Sequence, residues 1–536
     1  MTWLLALILL PVVGAVVVAG MKNNDKLATA TALIVSLVEL ALIIPLWANY
    51  SPSGARIQEA STMDWIPTFG IHISFGVDGI ALIMIAVIAL LIPIVIGGVG
   101  RFDKLPAGRS AGGYLSLILL QQATTIAVFA ATDVFLFYVL FEIMLIPMYF
   151  LIGGYGGPNR QYAAVKFFLY SFLGGLIMLA SAIGAYSLSV DKYGKGTFDW
   201  ATLVTVVRDA PTSTQIWLFL GFFLAFAIKA PLVPFHTWLP DAAGQAPIGV
   251  AVLVVGVLDK VGTFGFLRYL IPMFPAASKQ LAPLVLVLAV VGVIYGSILA
   301  AGQTDMKRFI AYVSIAHFGF IALGIFSFNE QAMVGSVSYM LNHSLATGML
   351  IVVVGLVIMR GGSSRISDYG GMGKVTPLLG GMLLIAGLST LSLPGTNSFI
   401  SEFLVLLGSF TTQPVYTIIA TVGMVLAAVY VLWLYQRVMQ GPVRGDALME
   451  TVVHSTSVEG GGERRAGGVG GGPGTALAPE LGAKKAIKDL GGKEIALLVP
   501  LVVLIIGLGF YPKPILDTIT PSVQATLSSV TAQGGK

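Results

Sequence analysis

Long apolar stretches with few charges recur along this sequence, and no other feature constrains its fold as strongly. The chain has 536 residues, of which 56% are hydrophobic and 10% charged, whereas soluble domains carry about 25% charged residues. A helix needs about 20 apolar residues to cross a bilayer. The pattern therefore predicts an all-α polytopic membrane protein with about 14 transmembrane helices. We place them at residues 2–20, 27–48, 78–99, 112–130, 133–152, 162–189, 213–235, 248–272, 282–302, 308–327, 332–359, 376–410, 415–439 and 493–511.

Basic residues in the connecting loops predict the orientation of these helices, because lysine and arginine concentrate in cytoplasmic loops. Every second loop holds most of them, namely Lys22, Lys26, Arg101, Lys104, Arg109, Arg160, Lys307, Arg308, Arg360, Arg365 and Lys374. Both termini are therefore expected on the periplasmic or outer side. Residues 1–20 lack the positively charged start of a secretory signal, so we interpret them as the first span.

Two of the predicted helices are interrupted. Pro231 and Pro234 follow Lys229 in one of them, and Pro394 with Gly395 interrupts a later one. A proline lacks an N–H and frees a carbonyl one turn back, so each helix is expected to break there. Five spans separate the breaks, and an odd offset inverts the second unit relative to the first. The chain is thus predicted to contain two inverted five-helix repeats with one broken helix each.

This pattern divides the chain into five predicted segments. The glycine-rich stretch 441–492 is expected to be a flexible cytoplasmic loop, since it lacks the strand and the Gly-Lys-Ser/Thr of a phosphate-binding loop. The segments are helices 1–3 at 1–110, a first repeat of helices 4–8 at 111–272, a second repeat of helices 9–13 at 282–440, this loop at 441–492, and a C-terminal helix with a tail at 493–536.

A glutamate and a lysine lie deep inside predicted spans. Glu142 is about nine residues, or roughly 14 Å, into its helix, and Lys229 lies beside the first break. A charge at the bilayer centre costs about 3 kcal/mol, so we expect the two to pair. Moving the lysine away from such a pair raises the proton affinity of the glutamate, which links helix movement to proton uptake. The alternative is a static ion pair that fixes helix packing.

Four further titratable residues continue this series. Lys260, His317, His343 and Glu402 all lie inside apolar helices. Lysine and histidine can both exchange protons when buried, so these residues are candidates for a proton relay, with a structural lysine and ordinary packing histidines as the alternatives. Asp259, one residue before Lys260, lies about 100° away from it on an α-helix and is expected to face another helix or subunit.

Other polar residues fall near the ends of helices. Asp78 and Asp133 open helices, where a carboxylate interacts favourably with the helix dipole, and they are expected to act as caps. Lys166, His236 and Asp241 are candidate accessory groups. We expect His236 and Asp241 to lie where the first broken helix meets cytoplasmic water and to guard a proton entrance.

Metal and redox sites are not expected on this chain. It has no cysteine, and its five histidines form no His-x-x-x-His pair, which excludes iron–sulfur or zinc sites held by thiolates. No dinucleotide-binding glycine pattern follows a predicted strand. The net charge of +5 resides mostly in loops and is explained by membrane topology, so no nucleic-acid partner is expected.

The first break also carries a family resemblance. The segment K-A-P-L-V-P-F-H-T-W-L-P-D-A-A-G-Q-A-P, residues 229–247, resembles the signature of the antiporter-like subunits of proton-pumping NADH:quinone oxidoreductase, respiratory complex I. The superfamily also includes multisubunit sodium/proton antiporters and membrane-bound hydrogenases. V-D-G-I at Val77, F-E-I-M-L-I-P-M at Phe141 and T-D-M-K-R-F-I-A-Y-V-S-I-A-H at Thr304 extend the resemblance over residues 75–440.

Within this family the second break, S-L-P-G-T-N-S-F-I-S-E-F, is similar to that of subunit M, which has a glutamate where sister subunits have a lysine. The resemblance implies a proton relay on this chain. Its members would be Glu142 with Lys229 as the input pair, Lys260 as the central lysine, His317 with His343 as the bridging histidines, and Glu402 as the output residue.

The resemblance further implies that the chain pumps protons while NADH, FMN, iron–sulfur clusters and quinone are bound by partner subunits, with no cofactor on this chain. Its partners would be the other membrane subunits of complex I, especially the adjacent antiporter-like subunits, and the lipid of a bacterial plasma membrane. Two alternatives stay open. One is a subunit of a multisubunit sodium (cation)/proton antiporter without redox coupling, and the other is a static scaffold whose charges lock helices together.

Overall fold

The structure, a computed structural model, describes residues 3–452, 480–483 and 487–531. Helices dominate these ranges, as the apolar stretches predict. The elements up to the first break are α1 (Trp3–Ala19), α2 (Asp25–Asn49), β1 (Gln58–Ile66), β2 (Ile71–Val77), α3 (Gly79–Gly97), α4 (Ala111–Ala130), α5 (Val134–Ile143), α6 (Leu145–Tyr155), α7 (Arg160–Tyr193), α8 (Trp200–Arg208), α9 (Thr212–Lys229) and α10 (Trp238–Gln245).

The remaining elements begin with one long helix that contains two π-helical stretches. This helix consists of α11 (Ile248–Leu253), the π-helix Val254–Leu258, α12 (Lys260–Gly265), the π-helix Phe266–Leu270 and α13 (Ile271–Met273). After it come α14 (Pro275–Ala301), α15 (Met306–Phe326), α16 (Glu330–Gly361), α17 (Met372–Val375), α18 (Pro377–Thr390), α19 (Asn397–Thr412), α20 (Pro414–Met439), β3 (Met449–Val452), β4 (Glu480–Ala483), α21 (Gly492–Phe510) and α22 (Lys513–Thr531). Of the predicted loop at 441–492, residues 453–479 and 484–486 lie outside the described residues.

Twelve helical stretches of the described chain are long and apolar enough to cross a membrane. Val134–Tyr155 and Ile248–Met273 each count as one stretch, and α1 and α18 are shorter apolar helices in addition to the twelve. The predicted multi-span helical membrane fold is confirmed. The number of spans, the inverted repeat and the segment boundaries stay predictions.

A β-hairpin near the N-terminus was not predicted from the sequence. β1 and β2 pair antiparallel, from Gln58 opposite Val77 to Ile66 opposite Ile71. β1 is mostly polar and exposed, so a search for apolar stretches passes over it. The backbone N–H of His72 in β2 donates to Asp133 at 3.1 Å, which attaches the hairpin to the start of α5.

The stretch Ile248–Met273 and α16 form the interior of the bundle. Every residue in the most apolar window of Ile248–Met273 is buried within the protein, and so is 94% of the corresponding window of α16. Because protein surrounds these two helices, their polar side chains meet other helices instead of lipid. Lys260 and His343 lie on them.

The structure has both predicted helix breaks. At the first, α9 ends at Lys229, and the chain turns through Pro231 and Pro234 before α10 begins. The indole N–H of Trp238 donates to the carbonyl of Ile228 at 2.8 Å. A carbonyl near the break thereby has a partner inside the protein, as the apolar interior of a membrane requires.

At the second break, α18 ends at Thr390 and α19 begins at Asn397. The side chain of Asn342 on α16 donates to the carbonyl of Asn397 at 3.0 Å, and the side chain of Asn397 donates to that of Asn342 at 3.1 Å. This reciprocal pair holds the broken segment against the central helix.

The segments at the two ends of the helices form two separate faces of the protein. In the first, which we call the basic-loop face, Lys307 donates to the carbonyl of Ala246 at 2.6 Å. In the second, the hairpin face, Arg56 beside β1 donates to Thr526 of α22 at 2.9 Å. The basic-loop face comprises residues 98–110, 156–160, 246–247, 302–305 and 361–376, and the hairpin face comprises β1, β2 and α22.

Candidate functional site

Glu142 lies where α5 gives way to α6, and its carboxylate is enclosed by protein. Neither oxygen has a hydrogen-bond partner among the described residues. The carboxylate packs directly on Gly175 of α7, where a Cβ atom would lie 1.5 Å from its Oε1. A glycine at this position is therefore required for Glu142 to keep its place.

Lys229, the last residue of α9, is fully buried. Its ammonium lies over the rings of Phe141 at 5.0 Å and Phe167 at 5.4 Å, where cation–π attraction partly replaces hydration. The expected direct ion pair with Glu142 is not formed in the described part of the chain. The Lys229 ammonium still lies beside Phe141, the residue before Glu142, so a small movement of α9 changes the distance between the two charges.

Lys260 contacts three acceptors at once. Its ammonium donates to the carbonyl of Val255 at 2.5 Å, lies 2.6 Å from Nδ1 of His343, and lies 3.1 Å from Oδ1 of Asp259. An ammonium has three N–H donors and no acceptor; two of them are hydrogen-bonded, and the contact with Asp259 is an ion pair without regular hydrogen-bond geometry. Lys260 therefore joins the helix of the first break to α16.

The expectation that Asp259 faces away from Lys260 is wrong. The two side chains form an ion pair and both are 0% exposed. The physical reason is that consecutive Cα atoms are only about 3.8 Å apart, so the long lysine side chain reaches its neighbour's carboxylate. A π-helix, Val254–Leu258, ends beside the pair, and in it the N–H of Asp259 bonds the carbonyl of Val254 five residues back.

The two histidines and the output glutamate lie in one series of contacts. The ring centroids of His343 and His317 are 5.3 Å apart, and those of His317 and Tyr339 are 5.6 Å apart. The hydroxyl of Tyr339 donates to Glu402 at 3.3 Å, and Ser392 also donates a short hydrogen bond to Glu402. We call this series the central row, which consists of Lys260, His343, His317, Tyr339 and Glu402.

The hydrogen bonds of His343 fix its tautomer. When Lys260 is an ammonium, which has no acceptor, Nδ1 of His343 accepts from it at 2.6 Å, and the proton of the neutral ring is then on Nε2, 3.1 Å from the hydroxyl of Ser314. The ring thus presents a free base toward the ammonium, which is the arrangement needed to receive a proton from it.

The candidate accessory groups lie at the basic-loop end of the helices. Asp241 bonds Lys166 at 2.7 Å and Arg308 at 2.8 Å, which ties α7, α10 and α15 together. His236 is 3% exposed, with its ring 5.1 Å from that of Tyr295, so it does not meet water as expected. The structure therefore brings Lys166 and Asp241 together in an ion pair, whereas no hydrogen bond joins His236 to either of them among the described residues.

A loop carboxylate fixes the start of the helix that carries Lys260. Asp103 accepts the backbone N–H groups of Ile248 at 2.5 Å and Gly249 at 2.8 Å, and the hydroxyl of Tyr114 at 2.9 Å. Burial raises the pKa of the Asp103 carboxyl above its ordinary value, although these three donors oppose that effect. Asp103 caps the helix and positions Lys260 from a distance.

Sequence reasoning missed several of these residues. Tyr339 lies four residues before His343 and so on the same face of α16, a spacing that could have revealed it. Glu39, an acid inside the apolar helix α2, is 0% exposed with both oxygens unpartnered in the described chain. Ser392 lies in the second break, between α18 and α19, so helical spacing could not have predicted its contact with Glu402. No cluster of three or more potential metal ligands is present among the described residues.

Comparison with known proteins shows the family to which the chain is related. Residues 131–429 match the protein family described as NADH:quinone oxidoreductase/Mrp antiporter, TM. NADH-quinone oxidoreductase subunit M of Mycobacterium tuberculosis is 43% identical over 98% of this chain and 94% of the relative. The chain belongs to this family of transmembrane subunits. The resemblance carried by residues 229–247 is thereby confirmed.

Further family members agree in length and fold. NADH-quinone oxidoreductase subunit M of Rickettsia prowazekii is 36% identical over 94% of each chain. A chain of the respiratory complex I from Thermus thermophilus with bound NADH superimposes with a TM-score of 0.81 at 29% identity, over 98% of this chain and 99% of that chain. The family likeness thus extends over the whole antiporter-like bundle, including the helices that carry the central row.

We predict that Gly175→Ala lowers proton pumping roughly threefold to tenfold in the assembled complex, because the new methyl group must displace the Glu142 carboxylate. Pumping driven by NADH in membrane vesicles, normalised to complex detected on a native gel, measures the effect. Gly154→Ala in α6 is the matched control, since its Cβ meets nothing within 4 Å. Equal pumping by the two variants would contradict the prediction.

Proposed function

We propose that the chain is a proton-translocating membrane subunit of NADH:quinone oxidoreductase, equivalent to subunit M. Electron transfer from NADH to quinone takes place in partner subunits and drives protons through this chain. The observation that carries the proposal is the central row, because a buried line of titratable side chains with no access to lipid suits proton transfer better than helix packing.

The proposed input step uses the Glu142–Lys229 pair. When Lys229 moves away from Glu142, the carboxylate loses its favourable charge and binds a proton, and the return of Lys229 releases it. Lys229 is placed for such a movement, because it is the last residue before the first break and its ammonium has no hydrogen-bond partner among the described residues.

The proposed transfer then follows the central row. Lys260 passes a proton to Nδ1 of His343 across 2.6 Å. The two following steps, through His317 to Tyr339, join rings whose centroids are more than 5 Å apart, so each is carried by a ring rotation or a bridging water. Tyr339 delivers the proton to Glu402 across 3.3 Å, and Glu402 releases it.

The driving free energy comes from the partner subunits. Moving one charge against 100 mV costs about 2.3 kcal/mol. The chain has no cysteine, and we assign NADH, FMN, iron–sulfur clusters and quinone to other subunits. The adjacent antiporter-like subunits are the proposed direct partners, and they transmit the movement that separates Glu142 from Lys229.

We place the protein in a bacterial plasma membrane with the basic-loop face toward the cytoplasm. In this orientation, the first residue of α1 and the helix α22, which are the two ends of the described chain, both lie on the outer side. A second candidate function is a subunit of a multisubunit cation/proton antiporter, which the family description also covers. The proteins that co-purify with the chain separate the two functions.

The test of the proposed function is Glu142→Gln, which removes one proton-binding group and keeps the shape. We expect NADH-driven pumping and NADH:quinone electron transfer to fall together, by about tenfold, in an assembled complex. The matched control is Glu330→Gln, at an exposed helix start on the hairpin face, where Gln524 donates to the side chain. If Glu142→Gln assembles and pumps like the control, Glu142 is structural and the proposed function fails at its first step.

A further inference from the structure

We propose that Asp259 carries protons together with Lys260, so that Lys260 releases its proton to His343 only after Asp259 has taken up another. This inference rests on the proposed function and deepens it. It adds an acid to the middle of the row, where the family resemblance assigns only a lysine.

The first argument is the unusual environment of the Asp259 carboxylate. It lies 3.1 Å from the Lys260 ammonium with both side chains 0% exposed, yet neither oxygen accepts a regular hydrogen bond from any described residue. By contrast, the buried carboxylate of Asp103 accepts from three donors. A buried ion pair stabilises a fold only when further hydrogen bonds satisfy its charges. Asp259 is therefore poorly suited to a structural role and well suited to accept a proton.

The second argument is the backbone beside it. The π-helix Val254–Leu258 ends at this pair, with an N–H···O bond of 3.3 Å from Asp259 to the carbonyl of Val254. π-turns are rare within helices and are frequent at functional sites. The acid and the proton donor of the row thus lie together at an irregular point of the helix.

The third argument concerns charge. While Lys260 is an ammonium, the pair with Asp259 has no net charge, and two of the lysine's donors are hydrogen-bonded, to Val255 and His343. If Lys260 gave its proton to His343 alone, Asp259 would be left as an unpaired carboxylate inside the protein, a strongly unfavourable state. The carboxylate therefore holds the proton on Lys260 until its own charge is neutralised.

Every proton is accounted for in the resulting sequence of steps. A proton from the Glu142–Lys229 side converts the Asp259 carboxylate to the carboxylic acid. Lys260 then transfers one N–H proton to Nδ1 of His343, which leaves a neutral amine and an imidazolium. The acid of Asp259 next returns its proton to the amine across 3.1 Å, which restores the carboxylate and the ammonium. One proton has moved from the Glu142–Lys229 side to His343. The restored Asp259–Lys260 pair has no net charge, which opposes return of the proton.

The test uses Asp259→Asn in the complete complex, measured as NADH-driven pumping per assembled complex. Asparagine keeps the shape and cannot bind a proton, so pumping is expected to fall about tenfold or more. The matched control is Asp78→Asn, since Asp78 is also a buried carboxylate in an ion pair, with Arg268 at 2.8 Å. The control is expected to reduce the amount of complex and to leave pumping per assembled complex unchanged. Pumping at the wild-type rate by assembled Asp259→Asn overturns the proposal.

Asp259→Glu decides the outcome if the asparagine variant does not assemble. Glutamate keeps the charge but moves the acid group, so we expect assembly, pumping about threefold slower or more, and a larger solvent isotope effect in D₂O, because transfer within the dyad becomes limiting. A structural carboxylate would not change the isotope effect. A wild-type rate and isotope effect, or failure of both variants to assemble, overturns the proposal.

The result also distinguishes this inference from the proposed function. If Glu142→Gln lowers pumping as expected while Asp259→Asn pumps normally, the chain translocates protons and Asp259 is outside the path. If both variants pump normally, the proposed function itself is wrong.

Discussion

Lys260→Arg is expected to lower NADH-driven proton pumping at least about hundredfold while the complex still assembles. Arginine retains the positive charge beside Asp259, so the buried carboxylate keeps its ion-pair partner and the helices can still pack. A guanidinium cannot be deprotonated in a protein, so no proton can pass to His343. Pumping and NADH oxidation in membrane vesicles, normalised to the complex on a native gel, measure the effect.

The arginine variant separates a relay from a scaffold, because a scaffold needs only the charge at this position. Lys307→Arg is the matched control, since Lys307 donates to the carbonyl of Ala246 from outside the central row and arginine can make the same bond. We expect the control to pump normally. If Lys260→Arg assembles and pumps like the control, the lysine acts through its charge alone and the central row does not conduct protons.

Glu402→Gln is expected to have an effect of similar size, at least about hundredfold. Glu402 is 3% exposed and accepts hydrogen bonds from Tyr339 and Ser392. The amide oxygen of glutamine can accept both bonds, so the second break keeps its geometry. Glutamine cannot bind and release a proton, and the row would end without an output. Pumping per assembled complex is again the measurement.

The control for this variant is Glu494→Gln, which removes a carboxylate that pairs with Arg360 at 2.8 Å away from the central row. Loss of one such partly buried ion pair is expected to have a small effect on stability and none on pumping per assembled complex. Should Glu402→Gln keep more than about a tenth of normal pumping, well above the loss that removal of a general acid–base group produces, protons would have to leave the row before Glu402.

The two variants are also expected to block the relay at different steps. With Lys260→Arg, protons can load the Glu142–Lys229 pair but not His343. With Glu402→Gln, they can travel as far as Tyr339. Electron transfer is expected to stop in both, because the pumping and redox steps of the proposed mechanism are coupled through the partner subunits.

Much of the candidate site could be predicted from the sequence, since charges within apolar stretches are so unfavourable that each one needs an explanation. Lys229, Lys260 and Glu402 were identified in this way, and the structure places Lys260 and Glu402 at the two ends of the central row. The order of the intervening residues could not be predicted. His343 follows His317 in the chain but precedes it in the row, because α16 brings His343 to Lys260.

The sequence by itself determined the membrane fold and the two breaks, because apolar length and proline chemistry are local properties that act wherever the helix lies. It also identified several of the buried charges, namely Glu142, Lys229, Lys260 and Glu402. Only the tertiary structure decided what those charges meet. The contact of Lys260 with His343, the position of Tyr339 between His317 and Glu402, and the separation of Glu142 from Lys229 all depend on how distant helices pack. Such contacts join residues far apart in the chain, and no spacing along the sequence encodes them.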